Sequence, residues 1–358
     1  MPFIFKLFPF GLTLGLLFQA SAQIVINQPA IDRWMYPFNG TPGTRTVAST
    51  FSALPDPFSS TNLDDRMAQL LIKFDTAAAG IPAGQGVSAY RPESIRLKIR
   101  FADGANIIYD PTDDARLTMV ANGPPDSDAG RPILLHGVGF RNAWTAQTFL
   151  ENSPYSPSGP FGIRNAYAMG FDSNGIGRDL SKSVTQEIDD VPWAVGQIPT
   201  RAAGEAMVIY DWVEFDLRLS DPFIANYVKQ GLNAGFIWLA VTSFHSTAQQ
   251  SSQGFPGFFT KDHPEQALLG DVAPRLTIDF TPAPLVIESF QRFPASQEVE
   301  IRWAAQPGFV YQVWTSPDLR ENSWTSLQSL TVPSAQTSVW RGASASPAAF
   351  FRISRSSP

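Results

Sequence analysis

The chain has 358 residues and a net charge of −6, with 44% hydrophobic residues, 16% charged residues and no cysteine. The acidic balance without a basic cluster excludes nucleic acid as an expected partner, and the lack of cysteine excludes disulfides and thiolate metal sites. The length has room for about two domains, and the 30 prolines and 26 glycines indicate a loop-rich, all-β protein.

The first 22 residues have the pattern of an export signal. Lys6 is the only early charge, residues 7–18 form an apolar run, and Ala20-Ser21-Ala22 supplies small residues before a cleavage site. The run is shorter than the roughly 20 apolar residues that a bilayer span requires. We predict cleavage after Ala22 and a secreted, extracellular or periplasmic protein without a transmembrane segment; the alternative is an uncleaved anchor.

Alternating hydrophobicity predicts the strands of a first domain, residues 23–282. Residues 93–101 alternate most regularly between apolar and charged side chains, which is typical of a strand with one buried face. Residues 66–75 and 236–244 are apolar on both faces, as in a central strand that is covered on both sides. Residues 274–280 alternate again.

A short helix is predicted at 222–231, where Asp221 can cap the N-terminus and Gly231 can end the helix. The middle segment, residues 110–205, is rich in Gly, Pro, Asn and Asp and is too long for a plain loop. We predict that it is an insertion that folds as an elaboration on the sheet. Its short strands are predicted at 133–138, 145–150 and 167–171.

A proline-containing linker at 281–286 separates this domain from a second small β unit, residues 283–358. About six short strands are expected there, in the pattern of a β-sandwich. The stretches that predict them include 298–303, 308–315, 322–327, 337–340 and 350–353.

In order and spacing, several stretches resemble the DNRLRE-type secreted modules, a family of jelly-roll domains that includes alginate-binding carbohydrate modules. The matching stretches are 32–36 (Asp-Arg-Trp-Met-Tyr), 66–75, 94–101, 212–217, 231–239, 258–262 and 273–280. The resemblance implies a jelly-roll β-sandwich over 23–282 with an insertion at about 110–205. It also implies carbohydrate binding.

Residues 283–358 are similar to the small fibronectin-like C-terminal domain of secreted proteins from Verrucomicrobia and related bacteria. The likeness is carried by 311–319 (Tyr-Gln-Val-Trp-Thr-Ser-Pro-Asp-Leu), 324–327 and 349–353. It implies a bacterial, fibronectin type III-like sandwich, and no chemistry comes with it.

No catalytic constellation is present in the sequence. His136, His245 and His263 lack the spacing of a zinc site, and no Gly-x-Ser-x-Gly motif occurs. An enzyme housed in the middle segment is therefore the least favoured interpretation.

Aromatic residues beside Pro- and Gly-rich stretches are the candidates for stacking on sugar rings. They are Trp34, Tyr36, Trp144, Tyr155 and Trp193. The alternative is that these side chains close the ends of the sandwich, because large apolar side chains are buried by default.

Calcium is the candidate ion, in a structural role. Asp172 and Asn174 offer oxygen ligands in a Gly-containing loop, as do the pairs Asp113-Asp114 and Asp126/Asp128, although none matches an EF-hand loop. The alternative is that these residues form simple turns.

Together these patterns predict a secreted, non-catalytic protein that binds extracellular polysaccharide or matrix. The alternative is a structural or adhesion protein that binds other proteins or the cell surface. An exposed aromatic platform would favour the first hypothesis, and a free edge strand the second.

Overall fold

The structure, a computed structural model, describes residues 3–6, 22–52, 67–114, 127–182, 191–245, 254–280, 285–305, 309–331, 336–343 and 349–356. In these ranges the chain is an all-β protein with four antiparallel sheets and two α-helices. The all-β prediction is confirmed.

Strands β1–β10 are Phe3–Lys6, Ala22–Ile26, Ile31–Met35, Val47–Ser49, Gln69–Asp75, Pro92–Asp103, Ile133–Phe140, Ala166–Phe171, Gly177–Asp179 and Ala194–Val195. Strands β11–β20 are Trp212–Asp216, Phe236–Ser243, Gly257–Phe259, Arg275–Phe280, Ile287–Phe293, Glu298–Ala305, Val310–Ser316, Thr325–Thr331, Gln336–Ala343 and Phe350–Ser356. The helices are α1 (Pro222–Ala234) and α2 (Pro264–Leu269).

Two large sheets form a sandwich in the first part of the chain. The six-stranded sheet has the order β2-β14-β6-β13-β4, and β11 also pairs with β6. The seven-stranded sheet has the order β3-β5-β12-β7-β8-β9, and β10 also pairs with β7. The first and last of these strands pair directly, since Ala22 lies opposite Phe280.

The core lies between the two sheets. Strand β6 alternates buried and partly exposed residues from Ile95 to Phe101, as its sequence predicts. Strands β5 and β12 are buried on both faces, which also matches the prediction. The inward side chains include Leu70, Ile72, Phe74, Leu135, Leu239 and Val241 from one sheet, and Ile95, Leu97, Ile99, Val213, Phe215 and Ile278 from the other.

The middle segment supplies strands to the seven-stranded sheet itself. Strand β7 pairs with β12 on one side and with β8 on the other. The strand predicted at 145–150 is wrong, because Thr145 Oγ1 accepts hydrogen bonds from the backbone N–H groups of Gln147 and Thr148 and so holds a turn. The remainder of this segment packs a second apolar cluster onto the outer face of the sheet, around Phe149, Tyr155, Ala168 and Trp238.

Helix α1 begins and ends at sharply defined caps. The Asp221 carboxylate accepts hydrogen bonds from the N–H groups of Phe223 and Ile224, as predicted for an N-cap. The helix continues past Gly231, where the sequence predicted its end. It stops before Gly235, whose φ of 89° is the left-handed conformation that glycine adopts without strain.

Residues from 285 onward have a core of their own, formed by Val299, Trp303, Tyr311, Val313 and Phe351 among others. Strands β15, β16 and β19 form one sheet, and β20, β17 and β18 form the other. The edge of β20 pairs with the short strand β1 near the N-terminus.

The predicted export signal lies mostly outside the described residues. None of the described helices has the length and apolar character needed to cross a membrane.

Candidate functional site

A groove runs along α1, between the helix and strands β7 and β8. Its central section has a volume of about 470 Å³ and is bounded by Phe140, Phe171, Phe223 and the helix residues Asn226 and Gln230. A second section of about 390 Å³ continues from Phe140 and Gln230 past Gln147 to Trp238. A third, of about 280 Å³, continues from Phe171 and Phe223 past Trp193. Because neighbouring sections share lining residues, they form one open channel, which we call the α1 groove.

The periodicity of α1 explains how one helix both anchors itself and lines the groove. Ile224, Val228 and Leu232 are buried against the core. The next stripe at helical spacing presents Phe223, Asn226, Tyr227 and Gln230 to the groove. A helix with one buried stripe thus offers an adjacent stripe to a ligand.

Aromatic rings form the floor and one wall of the α1 groove. The ring of Phe171 stacks on Trp193 at 5.7 Å with an interplanar angle of 6°. Phe223 lies 5.8 Å from Phe171. Tyr227 meets Trp193 edge-on at 4.7 Å. Phe223 remains 39% exposed, so part of its ring is available to a ligand.

Two glycines make this aromatic packing possible. A Cβ on Gly137 would lie 2.2 Å from the Trp193 ring, and a Cβ on Gly175 would lie 2.1 Å from the Phe223 ring. Contacts this short are not tolerated between carbon atoms. Trp193 therefore lies directly on the backbone of β7, and Phe223 lies on the loop that follows β8.

Polar groups at the groove are of two kinds. The amides of Asn226, Gln230 and Gln147 are exposed and form no side-chain hydrogen bond within the described ranges. The Tyr227 hydroxyl forms hydrogen bonds within the protein, since it donates to Trp238 O at 2.9 Å and accepts from Val138 N at 3.1 Å. Burial raises the pKa of Tyr227. Tyr227 thus ties the helix to the sheet, and the amides are free to meet a ligand.

The structure brings some of the predicted aromatic residues to the groove and leaves others elsewhere. Trp193 lines the groove but is only 1% exposed, and Tyr155 is 7% exposed. Both side chains are buried, because Trp193 packs between Gly137 and Phe171 and Tyr155 lies in the outer-face cluster under the Arg164 guanidinium. Trp144 is half-buried, edge-on to Phe149 at 5.8 Å, beside the Thr145–Gln147 stretch of the groove.

Trp34 and Tyr36 lie on or just after β3, at the opposite edge of the seven-stranded sheet from β8. Their rings stack at 4.7 Å, and the Arg45 guanidinium lies 4.5 Å from the Trp34 ring. Both residues are half-buried. They form a separate aromatic cluster whose ring faces already have partners within the chain.

Sequence patterns missed Phe171, Phe223, Asn226, Gln230 and Gln147. A usable signal existed for three of them, because Phe223, Asn226 and Gln230 follow helical spacing on a face other than the apolar one. Phe171 and Gln147 come from the middle segment and gave no such signal.

The predicted calcium ligands form a tight turn. Asp172 Oδ1 accepts from the N–H groups of Asn174 at 2.9 Å and Ile176 at 3.0 Å, and Oδ2 accepts from Arg178. The hydrogen bonds from Ile176 and Arg178 lower the pKa of Asp172. The geometry matches the alternative of a simple turn, and calcium binding here stays a prediction. Asp126 lies outside the described residues.

A compact charged cluster joins three distant parts of the chain. The Lys261 ammonium contacts the carboxylates of Asp32 at 3.1 Å, Asp262 at 3.4 Å and Glu151. The Asp32 side chain is fully buried, and it also accepts a hydrogen bond from the Lys261 backbone N–H. In the described ranges this is the one group of three acidic or histidine side chains with metal-ligand spacing, and Lys261 already supplies its positive charge.

This cluster gives a prediction for pH dependence. Burial raises the pKa of Asp32 to about 7, although Lys261 opposes that shift. The unfolded chain has the ordinary carboxyl pKa of about 3.9, so the folded state binds more protons between these values. The free energy of unfolding is therefore expected to fall as pH rises through that window, by up to about 1.4 kcal/mol per pH unit from this group.

Asp32→Asn removes this contribution, and denaturant unfolding between pH 4 and pH 7.5 measures it. The variant is compared with the parent, because burial also lowers the pKa of His245 to about 3. His245 therefore gives a slope of opposite sign in both proteins, and the difference between them isolates Asp32. An identical pH profile in the variant would contradict the prediction. Asp216→Asn, at an exposed pair, is the control.

No model of a known protein family matches this chain. A search of curated proteins finds no relative either. The candidate site is therefore argued from its own residues and geometry.

Proposed function

We propose that this protein binds an extracellular polysaccharide in the α1 groove and does not act on it chemically. The observation that carries the proposal is the combination of an open aromatic floor with unpaired amides along its rim. Sugar rings have an apolar face that packs on aromatic rings, and hydroxyls that bond to amide groups. The export pattern of residues 1–22 supports a ligand outside the cell.

The charged groups at the groove argue against hydrolysis. Glycosidases use two carboxyl groups, one with a raised pKa that acts as the acid. Asp172 and Asp221 both line the third section, but Asp172 is bonded to Arg178 and has a lowered pKa. Asp221 caps α1 and pairs with Arg218 at 3.5 Å. Both carboxylates are thus held by donors within the protein.

A polysaccharide-binding assay with matched variants tests the proposal. Phe223→Ala is expected to weaken binding about tenfold, which corresponds to about 1.4 kcal/mol, because it removes an exposed stacking face. Asn226→Ala and Gln230→Ala are each expected to cost about 1 kcal/mol through lost hydrogen bonds. Affinity is measured on a polysaccharide array and then by calorimetry on the polymers that bind.

Two controls separate the α1 groove from other surfaces. Lys229→Ala changes α1 at a residue that does not line the groove, and Phe38→Ala removes a 46% exposed ring elsewhere. Both are expected to bind like the parent. Loss of binding in Trp34→Ala with none in Phe223→Ala would move the site to the Trp34/Tyr36 cluster.

One observation favours a second function, protein binding at the edge of a sheet. Strand β18 pairs only with β17 among the described strands, and its sequence Thr-Ser-Leu-Gln-Ser-Leu-Thr has no charge and no proline. Natural proteins usually protect such an edge with charged residues or proline. Leu327→Lys, at a residue that is 39% exposed, is expected to abolish any strand pairing there. Analytical ultracentrifugation measures self-association of parent and variant, and pull-down measures their binding to other proteins. Identical behaviour of the two would exclude protein binding at the β18 edge.

A further inference from the structure

We infer that the ligand of the α1 groove is an uncharged glycan chain rather than a polyuronate. This inference rests on the proposed function and deepens it by naming the substrate class. Its basis is the charge of the lining, which the resemblance to alginate-binding modules would not predict.

The two largest sections of the groove contain no charged lining residue. The central section presents apolar and aromatic groups together with Asn226 and Gln230. The neighbouring section adds Thr145, Gln147 and Trp238. A surface of this kind offers hydrogen-bond donors and acceptors in equal measure, as neutral hydroxyl groups require.

The third section holds charges, but each has a partner of opposite sign. Asp172 is bonded to Arg178, and Arg218 faces Asp221. One further cation lies near the far end, where Lys73 Nζ packs 4.2 Å from the ring of Phe236. Burial lowers the pKa of Lys73, and this residue does not line the groove. Among the described residues that line the groove, Arg218 is the cation, and it is paired with Asp221.

A polyuronate carries a carboxylate on every sugar, and a carboxylate that faces the floor of this groove would be desolvated against Phe171, Phe223 and Met169. Moving an ionised carboxylate into such surroundings without an arginine or lysine partner is strongly unfavourable. Proteins that recognise carboxylates supply such partners, most often arginine. A neutral chain avoids this cost.

The shape of the groove fits a chain rather than a single sugar. Asn226 and Gln230 are one helical turn apart, about 6 Å along α1, so their amides form a row parallel to the groove. The three sections continue in the same direction past Trp193. Repeated hydroxyls along a glycan match such a row.

The test compares charged polymers with neutral ones and includes one pair that shares the same sugar backbone. The purified protein is titrated with polygalacturonate and with the same polymer fully methyl-esterified, alongside alginate and the neutral polymers laminarin, xyloglucan, galactomannan and agarose. We expect at least one neutral polymer to bind, and every polyuronate to bind at least about tenfold more weakly than it. Binding of the neutral polymer is expected to change less than about twofold between low and high salt.

A polyuronate that binds more tightly than every neutral polymer, with that binding lost in Phe223→Ala, would overturn the inference and leave the proposed function standing. Binding of no polymer, or equal binding by parent and Phe223→Ala, would overturn both. The outcomes are therefore distinguishable.

A gain-of-function variant provides a second measurement. Asn226→Lys with Gln230→Lys places two ammonium groups on the exposed stripe of α1. It is expected to gain polygalacturonate binding by about tenfold or more, with strong salt dependence, and to lose affinity for the neutral polymer. If the parent already binds polygalacturonate as well as this variant does, the inference is wrong. Thermal unfolding of the variant confirms that it is folded.

Discussion

Replacing Lys261 by methionine is expected to lower the free energy of unfolding by about 3 kcal/mol or more at a pH above the pKa of Asp32, which is about 7. The ammonium lies between the Asp32 carboxylate, which is fully buried, and the Glu151 carboxylate, which is 19% exposed. Burial, which would lower the pKa of Lys261, is outweighed by these partners, and that pKa is raised. Without the ammonium, the buried Asp32 carboxylate loses its ion pair, and the partly exposed Glu151 carboxylate keeps the Arg33 guanidinium nearby.

Denaturant unfolding of parent and variant measures the loss. Arg96→Met is the matched control, because it breaks the 2.8 Å ion pair with Asp216 on the surface, where the two side chains are 43% and 65% exposed. Such a pair contributes about 1 kcal/mol at most. Adding Asp32→Asn and Glu151→Gln to Lys261→Met is expected to restore much of the stability, since the carboxylate that then lacks the Lys261 ammonium is that of Asp262, which is partly exposed to solvent. A Lys261→Met cost as small as that of the control would contradict this account.

Gly137→Ala is the second large effect, with an expected loss of about 3 kcal/mol. The new Cβ would approach the Trp193 ring to 2.2 Å. The ring is held between Phe171 at 5.7 Å and Tyr227 at 4.7 Å, so it has no room to move away. Either β7 shifts within the sheet or the aromatic floor of the α1 groove is displaced.

The cause is tested by a compensating change. Trp193→Leu creates a cavity and destabilises on its own, but it also removes the atoms that a Cβ on residue 137 would meet. The double variant is therefore expected to cost at least about 1 kcal/mol less than the sum of the two single changes. Additive costs would show that the steric explanation is wrong. Gly40→Ala is the control, because nothing lies within 4 Å of the Cβ position there.

The strands of the two large sheets could be predicted because the hydrophobic pattern of each strand is contained within a few consecutive residues. Strands β5, β6, β12 and β14 follow either two-residue alternation or a short apolar run, and the structure places them near the predicted residues. The Asp221 cap was predictable for the same reason, since its partners lie two and three residues along the chain.

The site was not predictable, because its geometry is set by residues that lie far apart in the chain. Whether Trp193 is exposed depends on the missing side chain at Gly137, and whether Phe223 keeps its place depends on Gly175. The charged cluster likewise joins Asp32, Glu151 and Lys261, whose sequence surroundings say nothing about one another. The composition of the middle segment indicates irregular structure, and it gives no sign that β7 lies between β12 and β8 in the seven-stranded sheet.

The pairing of β2 with β14 has a consequence for when the sandwich can fold during synthesis of the chain. Ala22 and Phe280 are partners, and β12 completes its ladder only with β5 from before the middle segment and β7 from within it. Contacts between residues so distant in sequence form late and slowly. An emerging chain cannot close this sandwich until residues near 280 are available. Most of the first part of the chain must therefore be synthesised before the two sheets of the sandwich can pack on each other.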